Sequence, residues 1–144
     1  FKIINIQEIN KKYCRELGNK VITEISRYVQ ENLSSEYVFV RYMGPKFVIA
    51  FSGVEANSVA DFLNEMKDKI ETMKIQLTDQ EIKELNLDVA RRNKSIQEKG
   101  ESAIPKINIV ISSYYKGTAL EEVLKRLEEY LDNAPANESD ITNI

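Results

Sequence analysis

The sequence predicts an α/β domain in which helices cover both faces of one sheet. Residues 38–43 and 47–51 are two β-rich, largely apolar runs on either side of a Gly44-Pro45 break, which is typical of a hairpin between two buried strands. Helical patterns stand on both sides of this hairpin, and the β-branched run 107–111 adds a strand near the end of the chain. The predicted order is strand, helix, hairpin, helix, strand and helix.

The elements outside the hairpin follow from the spacing of apolar residues. Residues 1–6 form a short apolar run with β-branched side chains and no helical period, which indicates a strand of the sheet. Apolar residues at steps of three and four predict helices from Gly18 to about Leu33, from about Ser58, and over 120–131. The side chains expected to be buried are Val21, Ile22, Ile25, Tyr28 and Val29 in the first helix, Val59, Phe62, Leu63, Met66 and Ile70 in the second, and Leu120, Val123, Leu124, Leu127 and Leu131 in the third.

Two segments have no place in a minimal α/β sandwich. Residues 77–105 contain a capping-box pattern, Thr78 with Glu81, followed by a weak apolar stripe and a polar stretch, so we interpret them as an insertion with a protruding helix. The insertion is either a solvated surface excursion or an interaction element, because long excursions in compact domains are either mobile or functional. Residues 135–144 are polar and predict a tail or linker after a domain of residues 1–134.

Composition excludes several classes of function. A charged fraction of 30% and a net charge of -3 over 144 residues are ordinary for one soluble domain and indicate no nucleic-acid partner. With Cys14 as the one cysteine and no histidine, internal disulfides, Cys metal clusters and His-based catalytic dyads are unavailable. No apolar run approaches the ~20 residues of a membrane span. We therefore expect a cytoplasmic protein, or the soluble part of a membrane-anchored one, without membrane contact of its own.

Four motifs in order resemble the GGDEF domain, the diguanylate cyclase module. INKKYCRELGNKVI at residues 9–22 fits the family pattern I-N-D-x-x-G-H-x-x-G-D-x-V-L without a gap, and RYMGPKFVI at 41–49 fits R-Y-G-G-D-E-F followed by apolar residues. INIVIS at 107–112 and EEVLKRLE at 121–128 are similar to the family's late strand and helix. The resemblance implies a mostly antiparallel central sheet of the nucleotide-cyclase type, interrupted here by the insertion.

The resemblance also assigns the chemistry, and this chain departs from it. In the family, two GTP molecules, each held by one domain, are joined into cyclic di-GMP while acidic residues bind Mg²⁺, an ion that requires hard oxygen ligands. Lys2 stands where the family has its metal-binding Asp, and Pro45 and Lys46 stand where it has the acidic pair of the hairpin. Lysine and proline cannot coordinate Mg²⁺, so we expect no metal, no cofactor and no cyclase activity.

The remaining nucleotide-binding positions are only partly retained. Asn10 matches the family's guanine-recognising Asn, but Asn19 replaces its partner Asp and offers one acceptor oxygen where a carboxylate offers two. Arg41 is retained, and Lys46 could meet a phosphate as a point charge. The vestigial nucleotide-binding set is therefore Asn10, Asn19, Arg41 and Lys46. The degenerate signature turn consists of Met43, Gly44, Pro45, Lys46 and Phe47.

Retained framework and altered chemistry predict a catalytically inactive GGDEF-like domain. Its expected role is that of a regulatory, interaction or dimerisation module in a larger bacterial signalling protein, with a protein partner or a second copy bound. The alternative is a non-catalytic sensor of GTP or a related nucleotide.

The hairpin makes this prediction testable on the structure. Phe39, Val40, Val48 and Ile49 are expected to be buried, and Lys46 is expected to be solvent-accessible at the hairpin tip. A buried Lys46 paired with a carboxylate would instead indicate a new site.

Overall fold

The computed structural model describes residues 1–135 and 139–144 and contains one five-stranded sheet. Its strands lie in the order β2-β3-β1-β4-β5, so the strand predicted within residues 1–6 is central, although it spans only Lys2–Ile3. All neighbouring strands pair antiparallel except β4 and β5, which are parallel. The strands are β1 (Lys2–Ile3), β2 (Val38–Met43), β3 (Lys46–Ala50), β4 (Ile107–Ile111) and β5 (Ile141–Asn143).

Two long helices, one before the hairpin and one after it, form where their apolar stripes predict them. The helices of the described residues are α1 (Ile6–Lys12), α2 (Arg15–Asn32), α3 (Ala56–Glu71), α4 (Asp79–Lys83), α5 (Leu87–Glu98) and α6 (Leu120–Asn133). The stripes of α2 and α3 share one core with Phe47. The ring of Phe47 stacks on the rings of Phe1 and Phe39, with ring centroids 4.9 Å and 5.7 Å apart respectively. On α6, Val123 and Leu131 are buried as expected, but Leu120 is exposed at the first turn. No helix of the described residues is long and apolar enough to cross a membrane.

The hairpin turn has the geometry that its residues dictate. Gly44 has a φ of 55°, and Pro45 follows it in a two-residue loop between the paired residues Met43 and Lys46. A positive φ at the first central position and proline at the second fit a type II′ turn, which matches the twist of the flanking strands. The guanidinium Nε of Arg41 donates to the carbonyl of Gly44 at 2.8 Å and holds the turn.

The prediction that both hairpin strands are buried is wrong for β2. This strand lies at the edge of the sheet, and Val40 remains 46% exposed. Phe39, Val48 and Ile49 are half-buried rather than buried. The reason is topological: the sequence shows that a strand is apolar, but its place at the edge of the sheet depends on the order in which distant strands pair.

Residues 77–105 do not protrude from the domain, so the prediction of a protruding helix in this insertion is wrong. Ile75 pairs with Ala103 in a bridge that closes the segment, and Leu77 and Ile82 belong to the core. The capping box of Thr78 and Glu81 forms as predicted and begins α4. The segment is therefore part of the packed domain.

Asn93 of α5 attaches this segment to the junction between α1 and α2. Its side chain is 1% exposed, and its Nδ2 donates to the carbonyls of Tyr13 at 3.1 Å and Val89 at 2.9 Å. The thiol of Cys14 donates to Asn93 Oδ1 at 3.8 Å. Burial raises the pKa of the Cys14 thiol, so this cysteine is a packed donor rather than a reactive nucleophile.

The prediction of a linker over 135–144 is wrong for residues 141–143, and residues 136–138 of that segment lie outside the described residues. Ile141–Asn143 form β5 at the second edge of the sheet, where Ile109 N donates to the carbonyl of Asp140 and Asp140 N donates to Asn108 Oδ1, both at 2.8 Å. The strand is stabilised by β4 and by the buried amide of Asn108, a long-range cause that the polar composition of the segment does not reveal.

We expect Asn93→Ala to lower the free energy of unfolding by about 1–3 kcal/mol, because a buried side chain and its three hydrogen bonds are lost, although the Tyr13 carbonyl still accepts from Arg92. Urea denaturation monitored by circular dichroism measures the change. Lys94→Ala, at the exposed neighbouring position, is the matched control and should stay within about 0.5 kcal/mol of wild type. Equal stability of wild type and Asn93→Ala would contradict the integration of this segment into the domain.

Candidate functional site

Two lysines and two carboxylates meet where the sheet contacts α6. Lys2 of β1 and Lys46 of β3 are direct cross-strand partners, so their side chains lie side by side on one face of the sheet. Glu128 and Asp132 are four residues apart and therefore share the face of α6 that meets them. We call Lys2, Lys46, Glu128 and Asp132 the lysine–carboxylate cluster.

Lys46 is the centre of the cluster. Its Nζ lies 2.9 Å from Asp132 Oδ1, 3.1 Å from Asp132 Oδ2 and 3.2 Å from Glu128 Oε2. Lys2 Nζ approaches Asp132 Oδ1 more loosely, at 3.6 Å. Two cations and two anions are thus gathered within one contact region, and their charges cancel.

The surroundings of Lys46 differ from the prediction of a solvent-accessible hairpin tip. Its side chain is only 16% exposed because Lys46 is the first residue of β3 rather than part of the turn, and α6 covers it. Lys46 is thus half-buried rather than buried, and only its pairing with a carboxylate matches what we expected of a new site. The hydrogen bond to Asp132 raises the pKa of Lys46, and the same bond lowers the pKa of Asp132. Both shifts favour the charged pair.

Asn10 and Asn19 lie elsewhere, on α1 and α2. The side chain of Asn10 packs against Gly18, where a Cβ added to Gly18 would lie 1.7 Å from Asn10 Oδ1. Glycine is therefore required at position 18 for this contact. Asn10 Oδ1 is buried and has no hydrogen-bond partner among the described residues, whereas Asn19 is exposed.

The predicted nucleotide-binding residues lie on four elements: Asn10 on α1, Asn19 on α2, Arg41 on β2 and Lys46 on β3. Within residues 1–135 and 139–144, no hydrogen bond or ion pair joins Asn10 or Asn19 to Arg41 or Lys46. Arg41 is exposed and holds the turn through Gly44, and Met43 is 64% exposed beside it. Pro45 and Phe47 serve the sheet: the carbonyl of Pro45 accepts from Ile3 N at 2.9 Å, and Phe47 is a core residue.

Sequence reasoning missed Glu128 and Asp132. The available signal was their spacing of four residues on the polar face of a predicted helix, but such a pair is usually solvated. In the described parts of the chain, no group of three or more His, Cys, Asp or Glu side chains is placed to hold a metal ion. The two carboxylates of the cluster are instead engaged by lysines.

The chain matches the family model described as "Diguanylate cyclase, GGDEF domain" over residues 1–89, which is more than half of its length. It therefore belongs to the GGDEF family. The matched region contains α1, α2, the hairpin and Lys46. None of the curated proteins compared matches the chain.

Solved structures of cyclases have the same fold. The diguanylate cyclase SiaD from Pseudomonas aeruginosa, in complex with its activator SiaC, superposes with a TM-score of 0.76 at 12% identity, over 99% of this chain and 47% of that one. The GGDEF domain of DgcB from Caulobacter crescentus, in complex with c-di-GMP, superposes with a TM-score of 0.70 at 14% identity. The superposition covers 99% of this chain and 73% of the DgcB chain. The active GGEEF domain of a diguanylate cyclase from Vibrio cholerae superposes with a TM-score of 0.66 at 14% identity. The superposition covers 99% of this chain and 78% of the Vibrio cholerae chain. This chain thus spans about half of the SiaD chain.

A double-mutant cycle between Lys46→Met and Asp132→Asn measures the central pair of the cluster. We expect a coupling free energy of about 0.5–1 kcal/mol at neutral pH from urea denaturation, because Lys46 is partly shielded while Asp132 still meets solvent. Lys69→Met, on the exposed side of α3, replaces Lys46→Met in the control cycle and should show no coupling. Additive effects of the first pair would contradict the interaction.

The stabilising effect of Asp132 should depend on pH. Because the folded-state pKa of Asp132 lies below its unfolded value, its contribution is present above the unfolded pKa of about 3.9 and is lost as pH falls through the folded pKa. The difference in unfolding free energy between wild type and Asp132→Asn should therefore stay constant above about pH 5 and shrink as the pH falls below about 4. A difference that is constant or grows on acidification would contradict the assignment.

Proposed function

We propose that this chain is a catalytically inactive GGDEF domain that acts as a regulatory, interaction or dimerisation module of a larger bacterial signalling protein. One observation supports this proposal above the others. Lys2 and Lys46, at the positions that the family resemblance assigns to metal-binding acids, stand side by side and are neutralised by Asp132 and Glu128.

The physical argument concerns a divalent cation. Mg²⁺ would meet two ammonium groups where the family supplies oxygen ligands, and like charges a few ångströms apart repel strongly in a partly desolvated site. Asp132 and Glu128 could not serve as replacement ligands without leaving both lysines uncompensated. The cluster therefore favours a domain that keeps the fold without the metal-assisted reaction.

A second candidate, a non-catalytic nucleotide sensor, is favoured by one observation. Asn10 Oδ1 is a buried acceptor without a hydrogen-bond partner among the described residues, and such an atom could accept from a guanine N–H. Phosphate binding by Lys2 or Lys46 would require the cluster to open, and Arg41 would have to leave the turn. These costs place the sensor behind the regulatory module.

The SiaD structure contains an activator protein, SiaC, bound to a cyclase that has this fold. By analogy alone, a protein partner is a reasonable expectation for the present domain.

Incubation of the purified chain with GTP and Mg²⁺ should give no cyclic di-GMP by liquid chromatography, because the metal ligands are replaced. The active GGEEF domain from Vibrio cholerae, assayed in parallel, is the positive control. Product above the level of a no-enzyme sample would overturn the proposed inactivity.

Thermal unfolding with GTP separates the two candidates in the same samples. A ligand at about a hundred times its dissociation constant adds about 2.7 kcal/mol of stability, so a sensor would show a clear rise in melting temperature. A rise that Asn10→Ala abolishes would support the sensor, and an unchanged melting temperature would support the regulatory module.

A further inference from the structure

The outer edge of β2 is open for pairing with another strand. β2 is the first strand in the sheet order, and in the described parts of the chain no strand pairs with its outer side. Its backbone therefore presents a row of N–H and C=O groups that can extend the sheet. Such an edge can bind a strand of another molecule through main-chain hydrogen bonds.

The usual protections of an edge strand are weak here. β2 contains neither proline nor lysine, and its one charged side chain, Arg41, bends back to the carbonyl of Gly44 at 2.8 Å. A register shift interrupts the ladder only at the far end, between Arg41 and Met43. Residues Val38 to Arg41 pair regularly with β3, so their outer edge is straight enough to accept a partner.

One face of this edge is apolar and uncovered. Val38 is 57% and Val40 46% exposed, and cross-strand pairing places them beside Ala50 and Val48 of β3 on the same face. Lys46 lies on this face too, and there α6 covers it through the cluster. α6 does not reach β2, so Val38 and Val40 form an uncovered apolar strip next to the part of the sheet that α6 covers.

We propose that β2 pairs antiparallel with β2 of a second copy of this chain, about a two-fold axis at Val40. This inference rests on the dimerisation role within the proposed function and names the surface that carries it. The two sheets would join into one continuous sheet of ten strands, twice the five of each copy. An isologous contact of this kind closes after two copies and forms no open chain.

The distribution of charge and apolar side chains favours a second copy as the occupant. With Val40 on the axis, the exposed apolar side chains of β2 pair with one another: Val38 meets Tyr42 of the other copy, and Val40 meets Val40. An axis at Arg41 would instead bring the two guanidinium groups directly opposite each other, which is unfavourable. The strand is thus complementary to itself in the register that avoids like charges, and only Tyr42 of that register lies in the irregular end of β2.

Disulfide trapping tests this register. In Val40→Cys, the two Cα atoms across the axis would lie about 4.5–5.5 Å apart, within the range of a disulfide. In Val38→Cys they would be offset by four residues, or about 14 Å, which no disulfide spans. Val38 is more exposed than Val40, so disulfides formed by random collision would be more frequent in the control Val38→Cys. The native Cys14 is buried and does not compete.

We expect Val40→Cys to form a covalent dimer under mild oxidation and Val38→Cys to remain monomeric on a non-reducing gel. Equal trapping of both variants, or none of Val40→Cys, would overturn the proposed register.

Sedimentation equilibrium tests the association without a cross-link. Wild type should approach twice the monomer mass as its concentration rises. Val40→Lys places two ammonium groups across the axis and should raise the dimer dissociation constant roughly tenfold or more. Ala50→Lys, exposed on the same face but one strand away from the edge, should change it by less than about twofold. Circular dichroism verifies that both variants are folded.

A wild type that is monomeric at its highest soluble concentration, or a dimer that Val40→Lys leaves intact, would overturn the inference. Neither result would affect the expected absence of cyclase activity. Conversely, cyclic di-GMP in the activity assay would overturn the proposed inactivity without altering the sedimentation result.

Discussion

The ion pair between Lys46 and Asp132 connects the signature hairpin to the last long helix, across 86 residues of sequence. Together with the contact between Lys2 and Asp132, it links α6, which packs on β4, to the neighbouring strands β1 and β3. Its net contribution to stability is modest, because Asp132 meets solvent and each charge gives up part of its hydration. Its larger consequence is chemical, since it occupies the place that the family resemblance assigns to a metal and its acidic ligands.

Much of the fold could be predicted because its signals are local. The helical stripes of α2 and α3 specify their buried faces, and Gly44-Pro45 specifies a tight turn. The errors share a different cause. The exposure of Val40 and the strand at Ile141–Asn143 both depend on which distant segments pair, and composition carries no information about that.

Of the lysine–carboxylate cluster, the sequence indicated the two lysines but not the two carboxylates. The family-like motifs led us to predict that lysines stand at metal-binding positions, Lys2 for one Asp and Lys46 for one acid of the hairpin pair, and this remains a prediction. Which groups would neutralise those cations could not be deduced, because Glu128 and Asp132 look like solvated residues of a helix until α6 is placed on the sheet. The buried setting of Asn93 was hidden for the same reason: a polar residue in a polar stretch gives no sign that it is a core residue.

We propose that the lysine–carboxylate cluster has replaced metal-assisted nucleotide chemistry. Isothermal titration of the chain with GTP, in the presence and in the absence of Mg²⁺, tests this claim most directly, because it reports metal-dependent binding whether or not turnover follows. We expect Mg²⁺ to leave any affinity of the chain for GTP unchanged after subtraction of the heat of dilution. A gain in GTP affinity of about tenfold or more on adding Mg²⁺ would contradict it.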